Sequence, residues 1–466
     1  MKSSVVILFI ILFCTVLFAQ APDTVWTKTF GGNDSEVGIS IQQTYDGGYV
    51  IIGERSGKDW LIKTDADGDT LWTKSLIGNG HSIQQTSDGG YIITGDLNSD
   101  VLLVKTDANG DTLWTKIFNG HGHIPPINDW GNSIDATSDG GYVIAGRTRS
   151  ASFFDGSIWL IKTNANGDSL WSKSFGDGDG SSVKQTSDGG YIIAGYTLSS
   201  GADVRLIKTD NNGDTLWTKT FGGDSLDYGN SVQRTTDGGY VATGFTASFG
   251  SGGSDVWLIK TDDNGDTMWT KTFGGSLGEN GNSVQQTFDG GYIITGYTRS
   301  FGAGNSDVWI IKTNANGDTM WTKTIGDSLS DGGVSVQQTY DSGYIITGWT
   351  ESFGAGDRDV WLIKVAPDIT AIEEPNTFIN DYQLQQNYPN PFNPATTIEF
   401  SLPQSDFVTL KIYNILGEEV ATLVSEKLAA GKYRYEWDAG ELASGLYISR
   451  LKAGDFTENR KMIVLR

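Results

Sequence analysis

Between residues 23 and 365 the chain is written in short runs rich in Val, Ile, Thr, Tyr and Trp, each bounded by Gly, Asp or Asn. Such runs predict β-strands, and no stretch among them has the 3.6-residue period of a helix. The runs recur in a fixed order. The phrase Asp-[Thr/Ser]-x-Trp-[Thr/Ser]-Lys occurs seven times, with its tryptophan at Trp26, Trp72, Trp114, Trp171, Trp217, Trp269 and Trp321. Seven segments like Ser283-Val284-Gln285-Gln286-Thr287-Phe288-Asp289-Gly290-Gly291-Tyr292 lie between them, each continuing into an apolar run such as Ile293-Ile294-Thr295-Gly296-Tyr297. A third segment, typified by Trp257-Leu258-Ile259-Lys260-Thr261-Asp262, completes the unit.

Gaps of 46, 42, 57, 46, 52 and 52 residues between successive tryptophans fall in the range of radial β-repeats. Four strands per unit predict an all-β, seven-bladed β-propeller over residues 22–366. The Trp-Lys strand stands alone at the start, at residues 23–30, and is missing from the last unit. The orphan therefore closes the last blade and removes a free sheet edge. With the Ser-Val-Gln-Gln strand innermost, one face carries only the Asp-Gly-Gly and Asp-x-Asn-Gly-Asp turns, read as primed two-residue turns. The other carries longer, irregular loops, such as 248–255, 300–307 and 352–359, and a ligand site is expected there.

Composition narrows the class. A net charge of -23 argues against nucleic acid and anionic lipid, while 11% aromatic residues demand a buried core. Lys2, the apolar run 5–18 and the small-x-small site Ala19-Gln20-Ala21 predict a signal peptide over residues 1–21. No later stretch is apolar enough for an integral membrane segment. The single cysteine, Cys14, lies inside that signal, so the mature protein is expected to fold without disulfides.

The pattern changes near residue 366. Residues 367–382 read as a linker, and the alternating strands beyond it, over 383–466, predict an immunoglobulin-like β-sandwich. This segment resembles the type A C-terminal sorting domain of the type IX secretion system and, more distantly, the immunoglobulin-like module of flagellar hook-capping proteins. The matching residues are Tyr388-Pro389-Asn390-Pro391-Phe392-Asn393-Pro394, Ile412-Tyr413-Asn414-Ile415-Leu416-Gly417, Ala430-Gly431-Lys432-Tyr433, Leu442-Ala443-Ser444-Gly445-Leu446-Tyr447 and the terminal Arg460-Lys461-Met462-Ile463-Val464-Leu465-Arg466. The resemblance implies handling by the type IX secretion machinery and a secreted or outer cell-surface location in a Gram-negative-type bacterium. It implies no activity for the cargo. The repeats are similar only in rhythm to bacterial propellers of pyrroloquinoline-quinone or kelch type, which carries no activity across.

Candidate chemistry is sparse. His81, His121 and His123, the only histidines, fall in equivalent loops of neighbouring units, and imidazoles so grouped suit zinc or copper. Asp65, Asp67 and Asp69 place oxygens on alternate residues as calcium loops do, although the same residues serve a plain turn. Lys63 is expected opposite Trp72, with its stem on the indole and its charge in water. No thiol nucleophile or His-Glu-x-x-His stands in the repeats. The expected function is a non-enzymatic, surface or secreted binding protein whose partner, a polysaccharide or a surface protein, sits on the long-loop face. The alternatives are a polymer-acting hydrolase or lyase using the histidines, and a purely structural surface protein.

Overall fold

The computed structural model describes residues 20–120, 128–150, 153–198, 201–368, 382–390, 392–428, 431–440, 442–454 and 456–464. They divide into two compact units, with the boundary between Ile369 and Thr370.

In the first unit the described strands pair into seven antiparallel sheets of four. The first runs from Glu36–Gln43 through Tyr49–Arg55 and Lys58–Thr64 to Thr70–Ser75. The next five repeat this order. The seventh joins Asp331–Gln338, Tyr344–Thr350 and Asp359–Val365 to the strand Thr24–Phe30 from the other end of the unit. Each sheet packs on its neighbours in chain order, and the seventh packs on the first, so the circuit closes. This is a β-propeller-like architecture.

One set of contacts holds each junction. The outer-strand Trp of one sheet meets the buried Tyr of the next edge to face, from Trp26 on Tyr49 at 6.1 Å between centroids to Trp321 on Tyr344 at 6.0 Å. The third-strand lysine lies in register with the Trp, as Lys63 with Trp72 and Lys260 with Trp269. Its charge does not reach water. Lys63 Nζ is buried and donates to Asp46 Oδ1 at 3.1 Å and Thr64 O at 2.8 Å, and the same Lys–Asp pair recurs in all seven sheets. An ammonium sunk among apolar side chains needs such a partner. Burial alone would raise the Asp46 carboxyl, but hydrogen bonds from Thr44, Lys63 and Gly48 outweigh it and hold the pKa below its ordinary value.

The turns also differ from expectation. At Asp65–Asp69 only Gly68 has positive φ, because Asp65 Oδ1 accepts the amides of Asp67 and Asp69 and folds a longer turn. Two-residue turns with both φ positive occur instead on the opposite face, at Ser56-Gly57 and Asn98-Ser99.

The second unit contains a three-stranded sheet, Gln383–Leu384, Ala395–Leu402 and Gly431–Asp438. Its four-stranded sheet runs Glu419–Leu428, Asp406–Asn414, Gly445–Ala453 and Phe456–Val464. Both sheets feed one core that includes Phe400, Leu410, Trp437, Leu451 and Met462. The opening motif is tied to the last strand: Phe392 N donates to Ile463 O, and Asn390 Oδ1 accepts Ile463 N.

Candidate binding site

The inner strands of all seven sheets line one central cavity of about 200 Å³. Every inner strand carries the same β-bulge, between Gly38 and Ser40 in the first sheet and at the equivalent Gly and Ser in the rest. The extra residue has no cross-strand partner, so its side chain is re-aimed. Those residues are Ile39, His81, Asn132, Ser181, Asn230, Asn282 and Val334. The asparagines staple one sheet to the next. Asn132 Nδ2 donates to Asp179 Oδ1 at 2.7 Å and Gly180 O at 3.1 Å, and Asn282 Nδ2 to Gly333 O at 2.7 Å. The bulge glycine must stay bare, because a β-carbon on Gly38 would strike Thr347 of the neighbouring sheet.

Just before the bulge, on the long-loop side, the repeat dissolves. The cross-strand pairs there are Val37–Glu54, Asn79–Asp96, Trp130–Arg147, Asp179–Tyr196, Tyr228–Phe245, Asn280–Tyr297 and Gly332–Trp349. No two are alike, although the residue just before the pair on the second strand is glycine in every sheet. Arg147 lies over the Trp130 ring at 5.4 Å, Tyr196 stacks on Tyr228 at 4.1 Å, and Tyr228 meets Phe245 edge-on at 4.8 Å. Across the ring Arg358 covers Trp349 at 4.2 Å and pairs with Glu351 at 2.9 Å. Burial raises the Asp179 carboxyl above its ordinary value against the pull of Arg147, Asn132 and His81. Burial beside Asp179 pushes the Tyr196 phenol up to about 12.

Outside this mouth, three loops hold apolar knobs. Phe249, Phe301 and Phe353 are exposed and rest on Trp257, Trp309 and Trp361 at 5.3 to 5.4 Å. Exposed Leu226, Leu277 and Leu329 occupy the adjoining loops.

The sequence-derived candidates fall as follows. His81 sits on a strand bulge rather than in a loop, with Nε2 3.5 Å from Asp96 Oδ1 and a buried Nδ1 that makes no hydrogen bond. His121 and His123 lie outside the described residues. Asp65 organises its own turn, and Asp69 pairs with Lys28 of the neighbouring sheet at 2.6 Å. Among the described residues no three His, Cys, Asp or Glu side chains gather as a ligand set. No described helix is long and apolar enough to cross a membrane. The varied mouth itself escaped the sequence reading. Its signal was available as the one pair of positions where an otherwise repeated unit changes chemistry every time.

The class defined by this geometry is a closed, propeller-like ring of sheets around a central channel. Comparison with known proteins adds the second unit. The model of the secretion system C-terminal sorting domain matches residues 386–465. The chain is thus one exported by type IX secretion to the cell surface or extracellular space. The comparison with curated proteins returned no match.

Among solved structures, the chain is similar to a streptogramin B lyase at 12% identity, covering 73% of this chain and 97% of that one, with a TM-score of 0.46. It is similar to a protein of unknown function from Bacteroides caccae at 12% identity, with coverage of 63% and 94% and a TM-score of 0.39. Drosophila Plexin A, solved with Semaphorin 1b, is 9% identical, with coverage of 75% and 88% and a TM-score of 0.45. At these scores the architecture rests on the strand pairing described above.

Proposed function

We propose that the chain is a seven-bladed β-propeller, made with a signal peptide and carried out through an immunoglobulin-like sorting domain. It binds an extracellular partner on its long-loop face. The observation that carries this reading is the mouth. A scaffold repeated seven times departs from its repeat at paired positions around one end of one channel. The exposed Phe and Leu knobs beside it have the composition of a protein-binding rim, which favours a surface protein over a polysaccharide.

The test is capture of cell-surface proteins by the full chain, compared with a Phe249→Ser, Phe301→Ser, Phe353→Ser variant. Capture of one protein by the wild type, reduced about tenfold in the variant at an unchanged unfolding midpoint, supports the reading. Equal capture by both, or none by either, defeats it. Capture of glycans instead, lost in the same variant, replaces the protein partner with a polysaccharide at the same face.

A further inference from the structure

The opposite end of the channel carries a second asymmetry, independent of the first. Immediately before the aspartate of each Asp-Gly-Gly turn (Asp341-Ser342-Gly343 in the seventh sheet), the seven sheets bear Tyr45, Ser87, Ser138, Ser187, Thr236, Phe288 and Tyr340 in chain order. The three aromatic residues belong to the sixth, seventh and first sheets, which are neighbours around the ring. Tyr45, Phe288 and Tyr340 are 66%, 53% and 44% exposed, where large aromatic rings are ordinarily buried.

Their backbones are fixed. Tyr45 N donates to Gln85 Oε1 at 2.9 Å, Phe288 N to Gln338 Oε1 at 2.8 Å and Tyr340 N to Gln43 Oε1 at 2.9 Å. The rings therefore stand on a rigid rim rather than on wandering loops.

The same three sheets also offer free donors. Gln42, Gln285 and Gln337 line the channel, about 10 Å along the strand from the rings at 3.3 Å per residue. Each gives its Oε1 to the next sheet, accepting Gln85 N, Gln338 N and Gln43 N at 2.5 to 2.6 Å. A backbone donor there fixes the amide orientation, so Nε2 is the group left over. None of these Nε2 groups makes a hydrogen bond among the described residues. The facing wall differs, since Asp135 takes Gln84 Nε2, Lys184 Nζ and Gln185 N at 2.9 to 3.0 Å. Charge near the rings is spent too. Asp46, Asp289 and Asp341, the residues that follow them, are bonded to buried Lys63, Lys312 and Lys364.

Three exposed rings, three amide donors and turn carboxylates already paired with lysine in these three sheets match an uncharged ligand with apolar faces and hydroxyl edges. We propose that this end of the channel is a binding site for a neutral pyranose oligosaccharide. The sugar C–H faces lie on Tyr45, Tyr340 and Phe288, and its hydroxyl oxygens accept from Gln42, Gln285 and Gln337. The net charge of -23 disfavours acidic glycans at the same place.

Calorimetric titration of the full chain with cellohexaose, xylohexaose, mannohexaose and maltohexaose tests this. At least one should bind, and Tyr45→Ser, Phe288→Ser, Tyr340→Ser should weaken it about tenfold or more. Serine or threonine already occupies this position in the other four sheets, so the fold should hold, checked by the unfolding midpoint. Gln285→Met with Gln337→Met should weaken binding with all three rings in place. The Phe249, Phe301, Phe353 variant of the other face should bind sugar normally, so the two readings fail separately. Absence of binding to all four sugars at millimolar concentration, or binding that survives the ring variant, overturns the proposal.

Discussion

Asp237 and Lys260 test the buried ion pair that the fold repeats seven times. Lys260 is 2% exposed, and its Nζ reaches Asp237 Oδ1 at 3.1 Å, Asp237 Oδ2 at 2.9 Å and Thr261 O at 2.9 Å. The Asp237 side chain is 52% exposed and also accepts from Thr235 Oγ1 at 2.5 Å and Gly239 N at 3.1 Å. The two members are therefore unequal. Asp237→Ala strands an ammonium in the core with one carbonyl and the Met268 sulfur at 3.7 Å, which should cost about 3–5 kcal/mol. Lys260→Met keeps a stem against Trp269 and leaves a half-exposed carboxylate with two donors, so it should cost about 0–1.5 kcal/mol. The double variant should resemble Lys260→Met alone, so the coupling should equal the Asp237→Ala cost, about 3–5 kcal/mol. Urea unfolding followed by tryptophan fluorescence reads this well, since fourteen of the fifteen tryptophans lie in the repeats. If Lys260→Met costs as much as Asp237→Ala, desolvation of the ammonium does not control the site and the reasoning fails.

Stability should peak at mildly acidic pH. The lysine-paired carboxylates, with Asp139 and Asp188 held down to about 2, stabilise above their unfolded pKa, and that stability is lost as pH falls from about 4 toward 2. Asp59, pushed up to about 7 by burial with Gly80 N as its one hydrogen-bond donor, works the other way. Its contribution is full below about pH 4 and lost as pH rises through 7, so Asp59→Asn should flatten that slope and gain at most about 4 kcal/mol at pH 8; an unchanged slope in urea midpoints would sink this assignment. In the sorting domain, Ile415 and Leu416 are 71% and 78% exposed on a turn fixed by Asn414 Oδ1, which accepts Leu416 N and Glu418 N. Ile415→Ser with Leu416→Ser should cut export about tenfold at unchanged stability, as loss of an apolar anchor does; full export, measured by cell-surface and medium immunoblot, would clear the tip of a role.

What the sequence disclosed and what it hid follow from the range over which each signal acts. Strand runs and their order are local and repeated, so the four-strand unit and the returning first strand could be read directly. The Lys–Asp pair could not. Its members lie 17 to 23 residues apart, and composition rules place lysine in water unless a partner is known. The turns misled for a local reason, since Asp-Gly is a primed-turn signal only when the aspartate side chain does not bond forward to the next amides. His81 looked like a loop residue because the bulge that displaces it is invisible without the partner strand.

The seam of the ring shows the same limit most sharply. At six junctions an outer-strand lysine meets the aspartate that ends the neighbouring sheet's turn, as Lys28 does with Asp69 and Lys271 with Asp318. The seventh sheet has no such turn, because its outer strand comes from the far end of the unit. There Lys323 Nζ donates instead to Pro22 O at 2.9 Å. Asp368 takes Trp321 Nε1 at 2.8 Å and Tyr344 OH at 2.7 Å, while Ala366 N closes on Asp23 O. Composition assigns Asp368 to a linker, yet one carboxylate there satisfies the buried Trp321 and Tyr344 donors at the junction of the sixth and seventh sheets. A ring assembled from near-identical sheets has no other place where its two ends differ from a repeat. Residues on either side of the seam therefore carry a closing role that no other copy in the chain could reveal.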